Sequence, residues 1–202
     1  MVDVFIFILE LFGTVAFSIS GATVAFTKKM DIFGVSILGM TTAVGGGMIR
    51  DLILGNTPPI AFQKPIYALI AIAAALICFC PPVRRHLHDN DRIILVFDSI
   101  GLGIFTVIGT IAGLKCSQSN LFLSVFVGVM TGVGGGVLRD VFAGNTPYIF
   151  VKHFYACASI LGAILCALIW KPFGEPTAMI GGAALTAILR LLAAKYRWEL
   201  PK

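Results

Sequence analysis

Apolar positions along this chain gather into long runs, and short clusters of glycine, proline, asparagine and charge separate one run from the next. The runs fall near 4–27, 32–54, 61–83, 93–114, 121–143, 154–170 and 177–194. Each approaches the roughly 20 residues that a helix needs to cross about 30 Å of hydrocarbon. The pattern predicts an all-α integral membrane protein with seven transmembrane helices. The third run has poorly defined edges, because "PPIAFQKPIYALI" at 58–70 carries three prolines. The first run lacks a basic leading segment and a small-residue cleavage site, so it reads as a spanning helix rather than a removable signal.

Two of the runs end in nearly the same words. "TTAVGGGMIRDLILGNTP" at 41–58 returns as "MTGVGGGVLRDVFAGNTP" at 130–147. Gly45, Gly46, Gly47, Arg50 and Asp51 align with Gly134, Gly135, Gly136, Arg139 and Asp140. Upstream, Glu10, Gly13, Phe17, Ser18 and Gly21 align with Asp98, Gly101, Phe105, Thr106 and Gly109, with one residue of difference in the offset. Each copy holds three spans, and because three is odd the second copy must enter the membrane from the opposite side. The expected organisation is a first three-helix repeat at 1–88, an inverted second repeat at 89–175, and a seventh helix with a basic tail at 176–202. Inverted repeats with interrupted helices recur in proteins that move solutes, with the site near the pseudo-twofold axis.

Composition agrees with this class. The 202 residues are 58% hydrophobic and 12% charged, with a mean hydropathy of +0.96. A soluble domain carries about twice that share of charge. The net charge of +5 therefore reports orientation, not nucleic-acid binding. With the N-terminus outside, inner loops and tail hold Lys28, Lys29, Arg84, Arg85, Arg92, Lys152, Arg190, Lys195, Arg197 and Lys202, whereas outer loops hold only Lys64, Lys115 and Lys171. That bias predicts an outer N-terminus and a cytoplasmic C-terminus. The five cysteines show no metal-ligand spacing and read as free thiols. His86, His88, Asp89 and Asp91 fall in a polar stretch read as a solvated loop rather than a metal site, and His153 reads as interfacial. No nucleophile–base set, phosphate loop or haem motif occurs, so nothing argues for an enzyme or for a resident cofactor or metal.

The candidate chemistry lies in the repeats. Three consecutive glycines weaken a helix, and a break there would free backbone groups for a polar lining. Glu10 and Asp98 lie on the order of 10 Å into their spans. The expected arrangement is two clusters, Glu10 with Arg50 and Asp51, and Asp98 with Arg139 and Asp140, one on each side of the midplane. Four acids against two arginines leave an excess that favours cations. The alternative is that the same charges are structural ion pairs that pin helix ends. Ser18, Thr42, Thr106 and Thr131 recur at equivalent positions as candidate lining hydroxyls, although such hydroxyls often bond back to their own helix. "GNTP" reads in both copies as a helix end and turn.

At GGGMIRDLILGNTP and GGGVLRDVFAGNTP, within a chain of seven spans, the sequence resembles the bacterial branch of the trimeric intracellular cation (TRIC) channel family over about 1–195. The resemblance implies two inverted three-helix repeats plus a seventh helix, assembled as a homotrimer in the bacterial inner membrane with one pore per protomer. It implies conduction of monovalent cations, notably potassium, with kinks at Gly45–Gly47 and Gly134–Gly136 and with Arg50 and Arg139 as pore or gate charges. The ions carried, potassium or sodium, are cargo. The partners implied are the chain's own copies and membrane lipids. Animal members carry a lysine-containing motif in place of this Arg–Asp pair, so lipid and calcium regulation do not carry over. Bacterial relatives are also labelled glycine transporters, which leaves secondary transport of a small zwitterion such as glycine as the second activity.

Overall fold

A computed structural model describes residues 2–88, 91–151 and 154–198, without the side chains of Val2, Asp3, His86, His88 and Asp91. The expectations for Lys152, His153, Asp89 and Lys202, and for the side chains of His86, His88 and Asp91, therefore lie outside the described residues. Among the described residues every regular element is a helix: α1 Val2–Thr27, α2 Ile32–Ile53, α3 Ile60–Gln63, α4 Ile66–Phe79, α5 Pro81–His88, α6 Asp91–Lys115, α7 Leu121–Phe142, α8 Tyr148–Val151, α9 Tyr155–Phe173 and α10 Glu175–Tyr196. The cysteines are all free.

Six helices are long and apolar enough to cross a membrane. The third expected span is an apolar helix shorter than the other six. Its run is divided into α3, the 14-residue α4 and α5, and α4 alone rises only about 21 Å. Pro65, Pro81 and Pro82 are the cause. Proline has no N–H to continue a helix but suits a first turn, so α4 begins directly after Pro65 and α5 begins at Pro81. The stretch after α4, expected as a loop, is accordingly helical over Pro81–His88.

Sequence equivalence reappears in local structure. Asp31 and Asn120 cap α2 and α7, accepting from Gly34 N and Leu123 N at 2.8 Å each. Gly55 at φ +74° and Gly144 at φ +66° follow the ends of the same helices, where a left-handed residue terminates a helix at least cost. The GNTP turns form as the sequence predicts.

Helices α1, α2 and α4 pack together, as do α6, α7 and α9, while α10 lies on α6 and α9. The two groups meet where α1 crosses α6 and α2 crosses α7. At the first crossing the equivalent rings of Phe17 and Phe105 meet at a 31° tilt with their centroids 5.3 Å apart. At the second, a Cβ on Gly46 would lie 2.1 Å from the Thr131 carbonyl oxygen, and one on Gly135 would lie 2.1 Å from that of Thr42. Small residues let helices approach this closely in lipid. Both helices run without interruption through their glycines. The expected break is thus corrected: the triplets stay helical, and their middle glycines form a backbone-to-backbone crossing.

Candidate functional site

Each Arg–Asp pair sits in the last turns of its long helix, beside the glycine crossing. In the first half, Arg50 Nε donates to Asp51 Oδ1 at 2.9 Å, and Asp51 Oδ2 accepts from Ile60 N, at the start of α3, at 2.8 Å. In the second half, Arg139 Nε donates to Asp140 Oδ1 at 2.9 Å, and Asp140 Oδ2 accepts from Tyr148 N, at the start of α8, at 3.0 Å. Each aspartate therefore ties its arginine to the short helix that follows the turn. Orphan N–H groups at a helix start explain why an acid is useful there. Both pairs are buried.

The upstream acids meet these pairs differently. Glu10 is half-buried on α1 and accepts a hydrogen bond from the Tyr67 hydroxyl on α4. Glu10, Arg50, Asp51 and Tyr67 line one cavity of about 40 Å³, together with Thr14 and Gly47. That is room for at least one water. The expected first cluster is therefore brought together around a space. Asp98, at the equivalent place on α6, is fully buried and pairs directly with Arg139 Nη1 at 2.5 Å, while the same nitrogen reaches Ser20 Oγ at 2.6 Å. The second expected cluster is brought together as a direct, buried ion pair. Asp98 Oδ2, Arg139 Nη2 and the Tyr155 hydroxyl are buried without a protein hydrogen-bond partner.

Three further side chains belong to these clusters and were not singled out from the sequence. Tyr67 and Tyr155 occupy equivalent positions, and the repeat offset could have found them. Arg190 had no such signal. It was counted as an inner-loop charge, but the structure buries it to 1% exposure in α10, with its guanidinium 5.1 Å from the centre of the Tyr155 ring. That is a correction to the charge count: four acids now face three arginines.

The four hydroxyls are buried in helix contacts. Ser18 Oγ donates to the Ala71 carbonyl at 2.5 Å, and Thr106 and Ser159 share a hydrogen bond of 2.7 Å. Thr42 and Thr131 bond back to the Leu38 and Val127 carbonyls at 2.6 Å. Gly45, Gly47, Gly134 and Gly136 flank the crossing. A Cβ on Gly47 would meet only Arg50 Nη2, at 3.8 Å, whereas one on Gly136 would lie 2.7 Å from the Tyr155 hydroxyl. Among the described residues no group of three metal-ligating side chains occurs.

Known proteins resemble this chain over nearly its whole length. A family model described as Glycine transporter matches residues 7–81 and 95–171. The UPF0126 membrane protein of Deinococcus radiodurans is 37% identical over 195 residues, covering 96% of this chain and 89% of that one. The UPF0126 inner membrane protein YadS of Escherichia coli K12 is 36% identical over 195 residues, covering 96% and 93%. Among solved structures, a TRIC trimeric intracellular cation channel orthologue from Rhodobacter sphaeroides superposes with a TM-score of 0.86 at 32% identity, covering 96% of this chain and 98% of that one. A prokaryotic TRIC channel in 0.5 M KCl superposes with a TM-score of 0.90 at 29% identity, covering 98% and 100%.

Proposed function

This chain belongs to the Glycine transporter family, whose model it matches in both halves, and from that premise we propose that it is a channel for monovalent cations. The reading is supported by structural neighbours described as TRIC cation channels. The observation that carries it is the Glu10 cavity, where two acids and one arginine surround space inside the helix bundle. A formally negative, low-dielectric pocket attracts cations and repels anions.

In this mechanism the two repeats are inverted relative to each other, and the seventh helix completes the fold. A cation enters beside Glu10, whose carboxylate Tyr67 orients. It then passes the α2–α7 crossing and must separate Asp98 from Arg139 to leave. Asp98 Oδ2, Arg139 Nη2 and the Tyr155 hydroxyl are the groups that a hydrated ion satisfies on its way. Arg50 and Arg139 act as gate charges tethered by Asp51 and Asp140, and bending at the glycine triplets opens the path. Ser18, Thr42, Thr106 and Thr131 offer further oxygens once their present bonds are exchanged for water. Potassium is the expected ion, a homotrimer with one path per protomer the expected assembly, and the bacterial inner membrane the expected site. The last rests on the inner-membrane relative YadS.

Purified protein in liposomes tests this. Potassium flux down its gradient without glycine, reduced in E10Q while the protein still assembles, is the expected result. Saturable glycine uptake with no independent potassium leak would replace the channel with a transporter, the activity that the family description names.

A further inference from the structure

We propose that the elbow between α4 and α5 binds an anionic phospholipid, its phosphate on Arg84 and Arg85 and an acyl chain against Ile32 and Leu76. The elbow shares no residue with the Glu10 cavity, and its lipid binds whether or not the chain conducts.

Helix length and proline set the elbow. At about 21 Å, α4 is short of the about 30 Å of hydrocarbon. Cys80 then turns extended, at φ −57° and ψ 134°, and a new helix starts at Pro81. Along α5 the apolar side chains of Val83 and Leu87, one turn apart, pack into a core built from α1, α2, α4 and α6. Arg84 is half-buried beside them and Arg85 is exposed. A short helix with one apolar and one basic side suits a membrane surface. Phe26, in the last turn of α1, meets Arg84, so the exposed Lys28 and Lys29 mark the same end of the bundle.

Arg84, Arg85, Cys80, Ile32, Leu76 and Phe79 line a cleft of about 660 Å³ there, within the about 300–1,000 Å³ that small-molecule sites occupy. The Arg84 guanidinium lies 5.2 Å from the centre of the Phe26 ring and 5.1 Å from that of Phe79. Such stacking uses the face of the guanidinium and holds its plane, which leaves the N–H edge for an oxyanion. Phosphate matches that edge. Among the described residues no carboxylate lines the cleft, and Asp31, next to Ile32, already accepts from Gly34 N. The opposite character lies alongside: Ile32 is 50% exposed and Leu76 39%. A soluble anion leaves that apolar wall uncovered, whereas a phospholipid covers it and meets both arginines at once.

Native mass spectrometry of the detergent-purified protein, titrated with phosphatidylglycerol or phosphatidylcholine, tests the proposal. Phosphatidylglycerol is expected to bind at least about fivefold more tightly, the factor that one Lys or Arg supplies near an anionic headgroup. R84Q/R85Q is expected to bind both lipids alike. R85Q alone, at an exposed position, replaces it if the double variant does not assemble. K28Q/K29Q removes two charges at the same end but outside the cleft, and is expected to keep the preference. Cys80 reports the place. Its reaction with a maleimide in nanodiscs, read by peptide mass, is expected to slow several-fold when phosphatidylglycerol replaces phosphatidylcholine. Equal binding of the two lipids overturns the proposal, as does a preference that survives R84Q/R85Q. A preference lost equally in K28Q/K29Q is diffuse attraction to a basic end and overturns it too. Inorganic phosphate that displaces the lipid at equal concentration makes this a site for a soluble anion. Cys80 reacting at one rate in both lipids places the lipid elsewhere, or a second copy of the chain over the cleft. Either result also overturns the proposal.

Discussion

Glu10 and Asp98 hold matching places in the two halves, but losing their charge should have unlike consequences. Asp98 is fully buried against Arg139, and removing one partner of such a pair costs about 3–5 kcal/mol because the other charge stays buried. D98N is therefore expected to lower the thermal unfolding temperature in detergent sharply, whatever it does to flux. Glu10 is half-buried beside a cavity, and the Tyr67 hydroxyl can donate to a glutamine carbonyl in its place. E10Q is expected to melt near the wild type while its potassium flux in liposomes falls several-fold. Equal losses of stability in both variants would mean that the two acids are both ion-pair pins, with no difference between the halves. Asp51 and Asp140 belong with the pins, since each carboxylate already serves an arginine and a helix start.

Helices α2 and α7 show where local propensity and tertiary packing part company. Glycine costs about 1 kcal/mol relative to alanine in a helix, and three together read as a break. In lipid an unsatisfied backbone group costs several kcal/mol, so the ladder persists, and the glycines serve the crossing instead. Their roles should separate on substitution. G46A and G135A each drive a Cβ to 2.1 Å from a carbonyl oxygen on the facing helix, which only separation of the helices relieves. Both are expected to lose assembly on size-exclusion chromatography. G47A meets only a guanidinium nitrogen at 3.8 Å, so it should assemble normally. If the triplet bends during gating, the stiffer helix of G47A conducts less; unchanged conductance would remove Gly47 from the gate. The third span was legible as apolar but not as a shorter helix, because hydropathy counts Pro65 and Pro81 as ordinary residues while hydrogen bonding does not.

For the whole molecule, the repeat made the two clusters legible, since Arg50, Asp51 and Glu10 have partners at fixed offsets and equivalent positions face equivalent neighbours. Arg190 was illegible for the same reason: α10 lies outside the repeat, so no position in the other half corresponds to it, and near the C-terminus it looks like one more topogenic charge. Removing it from the loop count leaves nine inner Lys and Arg residues against three outer ones, so the bias towards an outer N-terminus survives the correction. Two native thiols can test that orientation without any substitution. Cys80 is exposed at the α4–α5 junction and Cys116 is partly exposed just past α6, with α6 spanning between their two sides. An outer N-terminus puts Cys80 at the cytoplasmic face and Cys116 at the outer face. A membrane-impermeant maleimide should then label Cys116 in right-side-out spheroplasts and Cys80 in inverted vesicles, read by peptide mass. The reverse pattern would turn the whole bundle over. It would make the Glu10 cavity a cytoplasmic entrance, and the Asp98–Arg139 pair would then guard the outside.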